Sequence, residues 1–80
     1  MPSSVHTQEY VVFLQLLREV RTSAGVTQAD LASRLRRPQA YISKYESGER
    51  RLDVIELREI CRALDVELTD VVAQLERVLR

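Results

Sequence analysis

The stretch RRPQAYISKYESGERR, residues 36–51, gathers the side-chain types that hold anions and read hydrogen-bonding edges. Arg36, Arg37, Lys44, Arg50 and Arg51 are cations, Gln39 carries an amide, and Tyr41, Ser43 and Tyr45 carry hydroxyls. Guanidinium groups fit phosphate oxygens in a two-pronged fork, an ammonium meets them as a point charge, and an amide pairs with both N6 and N7 of adenine. Bond-breaking chemistry has less to work with. His6 is the only histidine and lies where the chain is expected to fray; Cys61 is the only thiol and falls in an apolar pattern. The sequence shows no metal-ligand spacing, no glycine-rich phosphate loop and no nucleophile beside a base. Acidic pairs such as Glu56 and Glu59 read as solvated helix surface. The expectation is a binding protein and not an enzyme, with no metal and no cofactor.

The formal net charge is zero, from 12 basic and 12 acidic side chains, but the charges are segregated. Residues 1–33 hold two basic and three acidic groups, residues 34–51 hold six and two, and residues 52–80 hold four and seven. The balances are −1, +4 and −3. Overall neutrality argues against indiscriminate attachment to polyanions, while the middle block permits one localised anion-binding face.

The elements that must position this block are helical. Eighty residues make one domain, 45% of them hydrophobic, with two glycines and two prolines, which suits a compact helical fold. A core of this size contributes only ~3–5 kcal/mol, so pairing with a second copy is a natural supplement. Cys61 has no partner for an internal disulfide and is expected as a buried thiol in a reducing compartment. No apolar run approaches the ~18 residues of a membrane span, and no secretion signal opens the chain. A cytoplasmic protein without a membrane partner is expected.

Apolar residues recur at Tyr10, Phe13, Leu14, Leu17 and Val20, a helical face ending near Ala24, with Gly25 as the left-handed stop. Thr27 can cap a second helix with Asp30 at its third position, and Val26 can staple onto Leu31. Pro38 interrupts after Leu35 and opens a third helix, roughly residues 38–47, which Gly48 ends. Asp53 and Glu56 form a capping box for a fourth helix, with Val54, Leu57, Ile60, Cys61 and Leu64 on one face and Leu52 stapled to Leu57. A fifth helix is expected after Thr69, aligning Val71, Val72, Leu75, Val78 and Leu79, with Arg77 and Arg80 at its negative end. No strand alternation or internal repeat is read.

The second and third helices, short and joined by a tight turn, describe a helix-turn-helix. The segments TQADLASRL, PQAYISKYESGERR and VIELREICRALDV together resemble the Cro/phage-repressor (XRE) type of helix-turn-helix DNA-binding domain, over roughly residues 16–72. The resemblance implies an all-α, five-helix, lambda-repressor-like fold over residues 1–80. Its second helix lies across the DNA backbone and its third enters the major groove. On that reading Gln39, Ala40, Ser43 and Lys44 are the base-reading candidates. Gln28, Arg37, Tyr41, Arg50 and Arg51 are the phosphate candidates, with Arg50 and Arg51 foremost. Other readings stand beside these: a solvated Gln28, an Ala40 chosen for helix propensity, an arginine run that is only a solvated face. Tyr41 is expected to be semi-exposed, touching DNA or covering the turn. Tyr45 is expected to face the core with its hydroxyl at the rim, and Arg34 to face solvent. The resemblance also implies a structural ion pair between Arg21 and Glu46.

Two positions depart from the family pattern. Arg36 and Arg37 follow Leu35 where glycine and an aliphatic residue are usual. An arginine at positive φ costs roughly 1 kcal/mol or more, so a differently built turn is expected. Pro38 stands where a hydroxyl cap is usual. The expected function is a bacterial or phage-type transcription regulator binding a palindromic operator in double-stranded DNA as a homodimer, its dimer surface on the fourth and fifth helices. With no space for an effector domain, control would come through concentration and occupancy. The rival is a protein-interaction module or an antitoxin, partnered by a toxin or the transcription machinery. An apolar Ile55 off the core face, and Val12 and Leu16 on the first helix, favour that rival.

Overall fold

The computed structural model describes residues 7–80, so the expectation for His6 lies outside the described residues. Five helices follow in order: α1 (Gln8–Ser23), α2 (Gln28–Leu35), α3 (Gln39–Ser47), α4 (Val54–Ala63) and α5 (Leu68–Leu79). Among the described residues there is no strand. Three helix starts carry a side-chain cap. Thr7 caps α1, its hydroxyl accepting from the Tyr10 N–H at 3.2 Å. Thr27 with Asp30, and Asp53 with Glu56, form reciprocal capping boxes at α2 and α4. Hydrogen bonds to their carboxylates hold Asp30 and Glu56 below the usual carboxylate range: the Thr27 backbone N–H for Asp30, the Arg50 guanidinium and then the Asp53 backbone N–H for Glu56.

Three helices end the same way, with one residue in the left-handed region and the next N–H reaching back five residues. Gly25 (φ 72°), Arg36 (φ 56°) and Asp65 (φ 60°) take that conformation. The N–H groups of Val26, Arg37 and Val66 then donate to the carbonyls of Arg21, Ala32 and Cys61 at 3.2, 3.0 and 2.9 Å. The helix-turn-helix turn is therefore built in the family's left-handed manner, with an arginine where glycine would be easier. That corrects the expectation of a different turn: with Arg36 left-handed, the Arg37 N–H closes back onto the Ala32 carbonyl of α2. Pro38 lies just outside α3 and supplies no side-chain cap.

The start of α5 also differs from expectation. Thr69 lies inside the first turn, and Glu67 holds the cap position without a side-chain hydrogen bond. After closure at Asp65 the chain is helical again from Leu68, too early for Thr69 to cap.

Leu17, Leu31, Ile42, Tyr45, Ile60 and Cys61 are the most deeply buried large side chains, contributed by α1 through α4, and Val71 of α5 closes the core. α3 packs on α1 and α2, α4 on α2 and α5, and α5 on α1. This wedges one face of α3 into the bundle and leaves the other face outside. No described helix is long and apolar enough to cross a membrane.

Candidate nucleic-acid interface

Along α3, Ile42 and Tyr45 are fully buried, while Gln39, Ala40, Ser43 and Lys44 are exposed together on the outer side. Helical spacing explains the division: positions 42 and 45 share the inner stripe, and 39, 40, 43 and 44 form the opposite one. The outer stripe offers an amide, a methyl, a hydroxyl and an ammonium. The Ser43 hydroxyl is returned to its own helix, donating to the Ala40 carbonyl at 3.2 Å.

A chain of polar contacts ties this stripe to the core. Arg21 Nε donates to Glu46 Oε2 at 2.7 Å, and Nη2 donates to Oε1 at 3.1 Å. The remaining terminal nitrogen of Arg21 donates to the Val26 carbonyl at 2.9 Å. The two side chains are only 8% and 3% exposed, so the pair is interior and its donors and acceptors are satisfied. Hydrogen bonding to Glu46 raises the Arg21 pKa above its ordinary value. Removing one partner would strand a buried charge at a cost of ~3–5 kcal/mol. Glu46 Oε1 also accepts from Gln28 Nε2 at 2.9 Å, and Gln28 Oε1 accepts a long contact from Gln39 Nε2 at 3.4 Å. Gln28 thus links the buried pair to the first exposed amide of α3, and is itself half-buried.

The arginines do not form one uniform rim. Tyr41, expected to be semi-exposed, is only 9% exposed. Its ring stands edge-on to Tyr45 and carries two guanidiniums, Arg37 at 4.5 Å and Arg50 at 4.8 Å from the centroid. Burial pushes the Tyr41 phenol above its ordinary pKa. Arg50 Nη2 also bonds Glu56 at 2.6 Å, and Arg37 Nη2 lies 3.8 Å from Glu59. Arg51 turns the other way, its guanidinium 4.4 Å above the Tyr10 ring on α1. Arg34 is exposed, as expected, and donates to the Ala63 carbonyl at the end of α4, at 2.8 Å. Tyr45 is fully buried and its hydroxyl does not reach the rim. The structure therefore groups Gln28, Arg37, Gln39, Tyr41 and Arg50 around α3 and sets Arg51 apart. The sequence pattern does not show Glu56 and Glu59 as arginine partners, because each contact joins an arginine outside the helices to α4 and leaves no helical spacing signal.

A family model described as helix-turn-helix matches residues 17–71. The chain belongs to this family, in its XRE type. It is a family of DNA-binding domains. Among solved structures, the chain is similar to an XRE-family-like protein from Pseudomonas syringae pv. tomato strain DC3000, with a TM-score of 0.87 and 43% identity. That similarity covers 96% of this chain and 94% of the other. Comparison with curated proteins gives no match. Among the described residues no cluster of His, Cys, Asp and Glu has the makings of a metal site.

Proposed function

We propose that the chain is a sequence-specific transcription regulator that binds a palindromic operator in double-stranded DNA as a homodimer, reading the major groove with α3. The carrying observation is the outer stripe of α3, exposed as a unit while the Glu46 carboxylate of the same helix is consumed by Arg21 and Gln28. Gln39, Ala40, Ser43 and Lys44 meet base edges. Gln28, Arg37 and Arg50 meet the backbone, with Tyr41 backing the two guanidiniums from beneath, and Arg51 reaches phosphate only by leaving the Tyr10 ring. Two copies related by a two-fold axis read half-sites about one helical turn, ~34 Å, apart.

Selection of bound sequences from a random duplex pool, followed by titration on the selected operator and on random duplex, tests this reading. Gln39→Ala should cost ~1–3 kcal/mol on the operator, concentrated at one base position. Equal losses on operator and random duplex would remove Gln39 from the base-reading set. A second reading, an antitoxin or interaction module on the same fold, is favoured by the apolar exposure of Val54 (62%), Ile55 (61%) and Val78 (60%) on α4 and α5. A pure interaction module would show neither DNA binding nor dependence on salt.

A further inference from the structure

Glu56 and Glu59 both project from α4 toward the arginines that flank Tyr41, and the two pairs are built differently. Glu56 is a fixture. Its side chain is 16% exposed, one oxygen takes Arg50 at 2.6 Å, and the other accepts from the Asp53 N–H at 2.9 Å as part of the helix cap. Arg50 is held from several sides, with Nη1 donating to the Arg51 carbonyl at 3.0 Å and its backbone N–H donating to the Lys44 carbonyl at 3.1 Å. The Arg37 backbone is also anchored, its N–H donating to the Ala32 carbonyl at 3.0 Å, but its guanidinium is held far more loosely. Its partner Glu59 lies at 3.8 Å, beyond hydrogen-bond range, with the two side chains 41% and 50% exposed. The Tyr41 ring supports one face of its guanidinium and the Glu59 charge biases its position, leaving its donors open to a better acceptor.

We propose that Glu59 is an affinity-setting residue for DNA: it holds Arg37 toward α4 in the unbound protein, and an arriving phosphate must displace it. This rests on the DNA-binding reading above. A phosphate accepts charge-assisted hydrogen bonds that the 3.8 Å pair does not make, so Arg37 transfers to it, at the cost of the Glu59 attraction. Exposed pairs of this kind are weak, so the handicap is a small factor, and it shrinks as salt screens the pair.

The test compares wild type, Glu59→Gln, Arg37→Ala and the double variant by fluorescence anisotropy on one labelled random-sequence duplex across a salt series. Glu59→Gln should bind about two- to fivefold tighter at low salt, with the advantage narrowing as salt rises. In the Arg37→Ala background the same substitution should give no gain. A gain that survives Arg37→Ala would assign the effect to general relief of negative charge and overturn the proposal. So would unchanged or weaker binding by Glu59→Gln while wild type binds. Silence of wild type at low salt on this duplex and on the selected operator would instead bring down the DNA-binding reading, and this proposal with it. Both side chains are half exposed, so thermal melts of the variants should overlay that of wild type.

Discussion

At the scale of single residues, two buried polar groups on neighbouring positions have opposite fates. Glu46 accepts from Arg21 and Gln28, and it holds α3 against α1. The adjacent Tyr45 hydroxyl is buried without a hydrogen-bond partner among the described residues, and burial drives its pKa well up, so the phenol is locked neutral. The sequence pattern made Tyr45 a core residue and was right about the ring. The pattern has no means of placing the oxygen, because the depth of the rim depends on how closely α1 and α2 pack on α3. An unpaired buried hydroxyl carries a desolvation penalty of ~1–3 kcal/mol without a compensating bond. Tyr45→Phe keeps the ring and removes the penalty, so it should leave stability unchanged or raise it by up to ~1 kcal/mol in urea unfolding. A loss above ~1 kcal/mol would show that the hydroxyl has a partner in solution.

At the scale of elements, the turn between α2 and α3 stores strain where function needs geometry. Arg36 sits at φ 56°, ψ 44°, a conformation that crowds the Cβ against the backbone. The turn persists because Arg36 and Arg37 N–H groups satisfy Ser33 and Ala32 carbonyls. Arg36→Gly removes the crowding and leaves those bonds intact, so it should stabilise by ~0.5–1 kcal/mol, read as a higher midpoint in thermal unfolding. A lower midpoint would mean that the arginine side chain contributes more than its Cβ costs. Helix positions were legible because Gly25, Thr27, Gly48 and Asp53 are local signals that act within a few residues. The α5 start was misplaced although the same device marks it. Gly25, Val26, Asp30 and Leu31 correspond in spacing to Asp65, Val66, Asp70 and Val71, but an aspartate in a left-handed turn is a weaker flag than a glycine. The arginine rim was only half legible. Clustering in sequence could announce a cationic region, while the split between Arg37 and Arg50 on Tyr41 and Arg51 on Tyr10 depends on tertiary packing.

At the scale of the whole molecule, the polar outer stripe of α3 and the apolar surface belong to different helices. The stripe lies on α3, while Val54, Ile55, Val72 and Val78 are exposed on α4 and α5. Val71 of α5 is buried and Leu75 and Leu79 are half-buried, so Val72 and Val78 are the part of the expected face left uncovered within one chain. On the proposed reading, the exposed apolar side chains on the last two helices suit a second copy, which would supply the selectivity that one short helix in the groove lacks. On the proposed homodimer, the separation of the two reading helices is fixed by protein packing and cannot follow the DNA. B-DNA completes a turn in ~10–10.5 base pairs, so inserting five base pairs at the operator centre rotates one half-site to the far side of the duplex. Affinity for the expanded operator should fall to that of a single half-site, while its salt dependence becomes shallower as the second copy's phosphate contacts are lost. Titrations of the intact operator, the expanded operator and an isolated half-site under one salt series make the comparison. Equal affinity for intact and expanded operators would mean that each copy binds alone, and the apolar surface of α4 and α5 would then need a different partner.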